Sequence, residues 1–165
     1  MIYKEIQGDL FNDIDSHFVQ CLSADIVAGA GIAVEFNNRF GMKNKLSKKY
    51  PHGVYIEGKV FKPTCIYIVN DYYDYKSLGT FNLITKEYVW QKPTYITMGA
   101  ALKDLRNQVE EKQIKKLAMP LIGCGIDGLS FKFVRQLIIE TFENLDIEIT
   151  IYYLEKDRDI INGTR

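Results

Sequence analysis

Two histidines and three cysteines are all that this chain of 165 residues holds of those types, and each scarcity removes a class of chemistry. His17 and His52 alone give a Ser-His-Asp triad or a histidine-rich metal centre little to be built from. Both read better as structural or surface residues. The cysteines, Cys21, Cys65 and Cys124, are odd in number and lack CxxC spacing. That argues against a disulfide framework and a zinc site, and points to reduced, mostly buried thiols. Net charge is zero, with 21 basic and 21 acidic residues, so a broad electrostatic footprint for duplex nucleic acid or an anionic membrane is missing. No apolar run approaches the roughly 18 residues of a membrane span. Met1-Ile2-Tyr3-Lys4-Glu5 carries no signal-peptide core. The expectation is a cytoplasmic protein without a membrane partner.

Common phosphate motifs are missing too. There is no GxxxxGK[ST]. Gly29-Ala30-Gly31 needs a small residue at position 34 to complete GxGxxG, and Val34 stands there. No acidic residue follows at the spacing that would hold a ribose, so a dinucleotide-binding reading fails.

What the chain does have is a pair of glycine turns, Gly29-Ala30-Gly31-Ile32-Ala33 and Ile122-Gly123-Cys124-Gly125-Ile126-Asp127. Each lies between an apolar run and an amphipathic segment. Glycine supplies the positive φ and close approach that let backbone N–H groups wrap a phosphate, and a following helix adds its N-terminal partial charge. Two such loops in one small domain suit a ligand with two phosphates, of the nucleotide-sugar kind.

Hydrophobic periodicity predicts strands at Ile2–Gln7, Phe18–Leu22, Val54–Val60, Cys65–Asn70, Phe81–Thr85, Leu117–Ile122 and Ile147–Leu154. It predicts a short helix after the first glycine turn, stopped by Gly41, one from Thr94 and one from Ser130. Lys43–Lys49 reads as a solvated helix face. Asp71–Gly79 reads as a tyrosine-rich polar connection, and the charged tail from Glu155 as loosely held. Most of the eleven tyrosines, Tyr67 and Tyr152-Tyr153 among them, suit half-buried strand positions. Alternating strands and helices imply an α/β fold of one domain, residues 1–165, with helices on a largely parallel sheet.

Five motifs occur in order: Gly8-Asp9-Leu10-Phe11; Ser23-Ala24-Asp25 with the first glycine turn; Asn82-Leu83-Ile84-Thr85-Lys86; Lys92-Pro93-Thr94-Tyr95; and Met119-Pro120-Leu121 running into the second turn. Together they resemble the macrodomain family, and within it the branch of terminal ADP-ribose protein glycohydrolase and the Appr-1-p processing proteins. The resemblance spans about residues 2–154 and is weakest over roughly 50–80. It implies a three-layer arrangement, a mixed, mostly parallel sheet flanked by helices, with ADP-ribose in a cleft at the strand ends and no metal or cofactor. Asp9 would accept from the adenine amino group, with Leu10 beside the base. The Gly29–Ala33 loop would line the distal ribose and diphosphate, and Ile122–Ile126 would wrap the diphosphate from the other side.

Lys86 and Asp127 are the implied chemical pair. On its own, a lysine at a strand end is an ordinary solvated charge, and an aspartate after a glycine turn is an ordinary turn residue. In the related glycohydrolase the matching lysine attacks the distal ribose C1″ and forms a covalent adduct, and the matching aspartate helps release product. Burial favours the neutral, nucleophilic amine and a nearby carboxylate favours the ammonium, so geometry decides. Ser23 is read equally as a contact to the distal ribose or a loop cap, and Asp25 as structural.

The implied activity is hydrolysis of ADP-ribose from an acidic side chain or a nucleobase. Nucleic acid enters only as a modified substrate. Two other activities fit the same pocket: a phosphatase acting on ADP-ribose 1″-phosphate, and a module that binds ADP-ribose without cleaving it.

Overall fold

The computed structural model describes residues 1–70 and 78–163. Six strands form one sheet: β1 (Ile2–Gln7), β2 (His17–Ser23), β3 (Thr64–Val69), β4 (Gly79–Lys86), β5 (Lys116–Met119) and β6 (Glu148–Tyr153). Their spatial order is β1-β6-β5-β2-β4-β3. Every neighbouring pair is parallel except β3 and β4.

Side-chain alternation divides the core into two layers. Val19, Phe81, Leu83, Leu117, Met119, Ile149 and Ile151 face one side, where they pack with α3 (Tyr95–Lys112) and α4 (Phe131–Thr141). Phe18, Leu22, Ile84 and Ala118 face the other, against α1 (Ile32–Phe40) and α2 (Met42–Lys49). Period-2 alternation along each strand is what puts these sets on opposite faces. The result is an α/β sandwich of helix, sheet and helix, the fold class expected.

Local chemistry sets the helix ends. Gly41, at φ +61°, ends α1 by donating its N–H to Asn37 O at 2.8 Å and turns directly into α2. Thr94 and Thr97 close a reciprocal capping box at the start of α3, with bonds of 3.1 and 3.0 Å.

Three expectations differ from the structure. The strand predicted over Val54–Val60 does not form. Glu57 (φ +53°) and Gly58 (φ +70°) reverse the chain, leaving a single bridge between Ile56 and Val60. β5 stops at Met119, short of Ile122, where Pro120 brings no N–H to continue the ladder. The tail is docked: α5 (Arg158–Ile161) buries Ile160 and Ile161 in the α3/α4 layer, and Arg135 Nη2 donates to Ile161 O at 2.8 Å. Most of the polar connection read at Asp71–Gly79 lies outside the described residues, and its last residue, Gly79, opens β4.

Candidate active site

From β2 the chain leaves through α1 and α2 toward β4 and β3. From β5 it leaves through α4, on the opposite face, to β6. The carboxyl ends of these adjacent parallel strands therefore part from each other, which is where open α/β sheets leave a crevice. A cleft of about 680 Å³ opens there. Every residue singled out for binding or chemistry lines it: Asp9, Leu10, Ser23, both glycine turns, Lys86 and Asp127.

The segment leading into the first glycine turn is built under strain. Ile26 and Ala28 carry φ of +56° and +48°, conformations that L-residues other than asparagine and aspartate rarely hold. Gly31 (φ +63°, ψ −149°) precedes the first turn of α1 in a region only glycine visits freely. Ile32 and Ala33 then open α1, so their N–H groups have no intrahelical partner and border the cleft.

The second turn is held by its own backbone. Gly123 and Gly125 have φ of +72° and +82°. Leu129 N–H donates to Gly123 O at 2.9 Å and Gly128 N–H to Gly125 O at 3.1 Å. The 3₁₀ turn Gly125–Asp127 formed in this way presents Asp127 to the cleft.

Lys86 comes from the opposite side by way of a bulge. Leu22 pairs with Ile84, but Ser23 pairs with Lys86, so Thr85 is the extra residue on β4. An unbroken ladder would set Thr85 opposite Ser23. A bulge re-aims the side chains that follow it, and here Lys86 Nζ lies 2.8 Å from Asp127 Oδ1, with both side chains mostly shielded (11% and 18% exposed).

Asp9 caps the 3₁₀ turn Leu10–Asn12 by accepting from Phe11 N–H at 2.9 Å through Oδ1. Tyr152, on the wall beside it, is fixed by its hydroxyl donating to Asp13 Oδ2 at 2.8 Å. The Ser23 hydroxyl donates to the Asp25 carboxylate, which supports the loop-cap side of its two readings.

No family model matches the chain. The ADP-ribose glycohydrolase OARD1 of Bos taurus is 38% identical over 152 residues, covering 90% of each chain. The chain belongs to the macrodomain family. The DNA ADP-ribosyl glycohydrolase of Mycobacterium tuberculosis is 28% identical over 148 residues, 88% of this macrodomain and 40% of that protein. The solved macrodomain of Mycobacterium tuberculosis DarG superimposes with a TM-score of 0.79 at 25% identity, covering 92% of this chain and 97% of that one. The macrodomain therefore sits in the glycohydrolase branch that its motifs resemble.

Two thiols also border the macrodomain cleft. Burial, and then the Asp127 charge, push Cys124 up to about 12, and burial with the same charge raises Cys21 further. Both stay protonated at neutral pH and are poor nucleophiles.

The sequence reading missed part of the cleft wall. Leu154, Lys156 and Ile160 line it from the docked tail, and Val89 from the turn after Lys86. The signal for the first was present: Ile160-Ile161 is an apolar pair inside a charged stretch. Among the described residues, no group of three or more His, Cys, Asp or Glu is placed to hold a metal. Among the same residues, no helix is long and apolar enough to cross a membrane.

Proposed function

We propose that this macrodomain is an ADP-ribosyl hydrolase that frees ADP-ribose from a modified acidic side chain through a covalent lysine intermediate. The observation that carries the reading is the Lys86–Asp127 pair, 2.8 Å apart at the end of the cleft between the two glycine turns. The relative at 38% identity is named an ADP-ribose glycohydrolase, which supports the hydrolase class. The distance alone does not set the pair apart, since the more exposed Arg106 and Glu110 also meet at 2.8 Å. What supports a nucleophile with its proton acceptor is that Lys86 and Asp127 are both shielded (11% and 18% exposed) and both line the cleft.

In this reading the diphosphate lies between the Gly29–Ala33 and Gly123–Ile126 loops, the adenine amino group faces Asp9, and the base lies against Leu10. The distal ribose then ends near Lys86. Asp127 takes a proton from the Lys86 ammonium, and the freed amine attacks C1″. The C1″–oxygen bond breaks, its electron pair leaving with the carboxylate of the substrate side chain. A proton passes from the bound nitrogen to O4″ as the C1″–O4″ bond breaks, leaving a C1″=N iminium. Water adds at C1″ and passes a proton to the nitrogen. The C1″–nitrogen bond then breaks with its electron pair going to the amine, which takes back the Asp127 proton, and the C1″ hydroxyl gives its proton to solvent as O4″ closes on C1″ and ADP-ribose leaves. A nucleobase linked at C1″ would leave by the same displacement.

Release of ADP-ribose from a peptide esterified at glutamate tests the reading. Lys86→Ala and Asp127→Ala should each slow it by at least about 100-fold, the ordinary worth of a positioned acid, base or nucleophile. Parent-like rates in both variants would exclude the mechanism. Tight ADP-ribose binding with no turnover by the parent would make the chain a binding module. Faster turnover of ADP-ribose 1″-phosphate than of the ester would make it a phosphatase.

A further inference from the structure

Asp25 does not line the cleft, yet it ties together two segments that do. One carboxylate oxygen, Oδ1, accepts from the Ser23 hydroxyl, and Oδ2 accepts from Val89 N–H at 3.0 Å. Ser23 is the β2 residue opposite Lys86, and Val89 belongs to the turn that follows Lys86. The backbone continues the same register. Ala24 N–H donates to Lys86 O at 2.9 Å, and Asp25 N–H donates to Glu87 O at 3.2 Å.

That register is the bulged one. A bulge leaves an unpaired residue and a weakened ladder, and here the extra residue is Thr85, whose hydroxyl is buried without a hydrogen-bond partner. Past the bulge the strand end is held by the two backbone bonds from Ala24 and Asp25 and by side chains. The turn after Lys86 closes on itself, with Tyr88 N–H donating to Gln91 Oε1 at 2.9 Å and Gln91 N–H to Tyr88 O at 3.0 Å. Tyr55 ties it by side-chain hydrogen bonds to Glu87 and Tyr88, and the Asp25 carboxylate, two residues past the end of β2, ties it to the strand that faces Lys86.

We infer that Asp25 is a positioning residue for Lys86: by bridging Ser23 and Val89 it locks the bulged end of β4 in the register that brings the Lys86 amine to Asp127. The inference rests on the proposed lysine mechanism. It assigns Asp25 no contact with substrate. Displacing a reacting group by about 1 Å costs on the order of 100-fold in rate, so a second bridge at this point has a kinetic consequence that its modest contribution to folding would not show.

The test uses the full chain and a peptide carrying ADP-ribose on glutamate, under single-turnover conditions. Asp25→Ala removes both acceptors, and the rate should fall about 10- to 100-fold, while calorimetric ADP-ribose affinity stays within about threefold. Asp25→Asn keeps the shape. Its amide oxygen accepts from Val89 N–H and its amide nitrogen donates to Ser23 Oγ, so the rate should recover partly. Trp90, the single tryptophan, lies in the tied turn, 74% exposed and stacked on Tyr88. Its fluorescence anisotropy should drop in the alanine variant and return in the asparagine variant. An alanine variant within about threefold of the parent rate overturns the inference, as does one that loses ADP-ribose affinity in step with rate. Lys86→Ala, run beside it, separates the two levels. Full activity in that variant would remove the lysine mechanism itself, whatever Asp25 does.

Discussion

Lys86 and Asp127 stand 41 positions apart in the chain and 2.8 Å apart in the fold. They arrive from opposite walls of the cleft, one through a bulge at the end of β4 and the other through a 3₁₀ turn made possible by two left-handed glycines. Each device is local. Their meeting depends on β4 and β5 both lying beside β2, which is a property of the whole sheet.

Asp127→Asn should leave the cleft in place while removing the proton acceptor. Ester hydrolysis should fall about 10²- to 10⁴-fold, and calorimetric affinity for ADP-ribose should change little. An equal loss of both would mean that Asp127 shapes the pocket rather than moving a proton.

The two glycines of the second turn should respond differently to alanine. A Cβ on Gly123 would meet Met98 Cε at 2.6 Å and Leu129 Cδ1 at 3.0 Å, whereas one on Gly125 meets nothing within 4 Å. Both positions are left-handed, so each substitution costs about 1–2 kcal/mol in backbone strain. Gly123→Ala adds an overpacking cost, for a total of about 2–5 kcal/mol. Urea denaturation of the two variants gives the difference directly.

The docked tail should matter for stability and for binding. Ile160 is buried and also touches the cleft. Ile160→Ala should destabilise by about 2 kcal/mol, the low end of the buried isoleucine range because a chain end relaxes. ADP-ribose affinity should weaken with it. Thermal melts with and without ADP-ribose measure both effects.

Stability should fall on the alkaline side. Burial and Asp127 raise the Cys124 thiol from its usual 9.0 to about 12, and burial with the Asp13 hydrogen bond raises the Tyr152 hydroxyl from 10.0 to about 12. Both groups ionise more readily in the unfolded chain. Their contribution is therefore fully present below about pH 9 and is lost as pH climbs from there through 12. Urea midpoints measured across that range should decline, with a smaller decline in Cys124→Ala.

Much of the fold was legible in the sequence because its signals are short-range. Short apolar runs bounded by turn residues marked β2 and β4, Gly8-Asp9 closed β1, and Gly41, Thr94 and Ser130 marked the helix boundaries. The site's residue types were legible through the ordered motifs around Lys86 and Asp127. The bulge at Thr85 was not, since a register shift is defined only against a partner strand. Nor was the bridge from Asp25 to Val89, which joins residues 64 positions apart. Val54–Val60 misled because its apolar residues alternate like a strand, while the positive φ at Glu57 and Gly58 folds them into a turn.

The lysine mechanism is tested most directly by trapping the intermediate. The parent chain, mixed with a peptide bearing ADP-ribose on glutamate and reduced with borohydride during turnover, should gain the mass of a reduced ADP-ribosyl group. Peptide mapping should place that mass on Lys86, and Lys86→Ala should show neither adduct nor turnover. Steady turnover with no trappable adduct, in a Lys86→Ala chain as active as the parent, would contradict it.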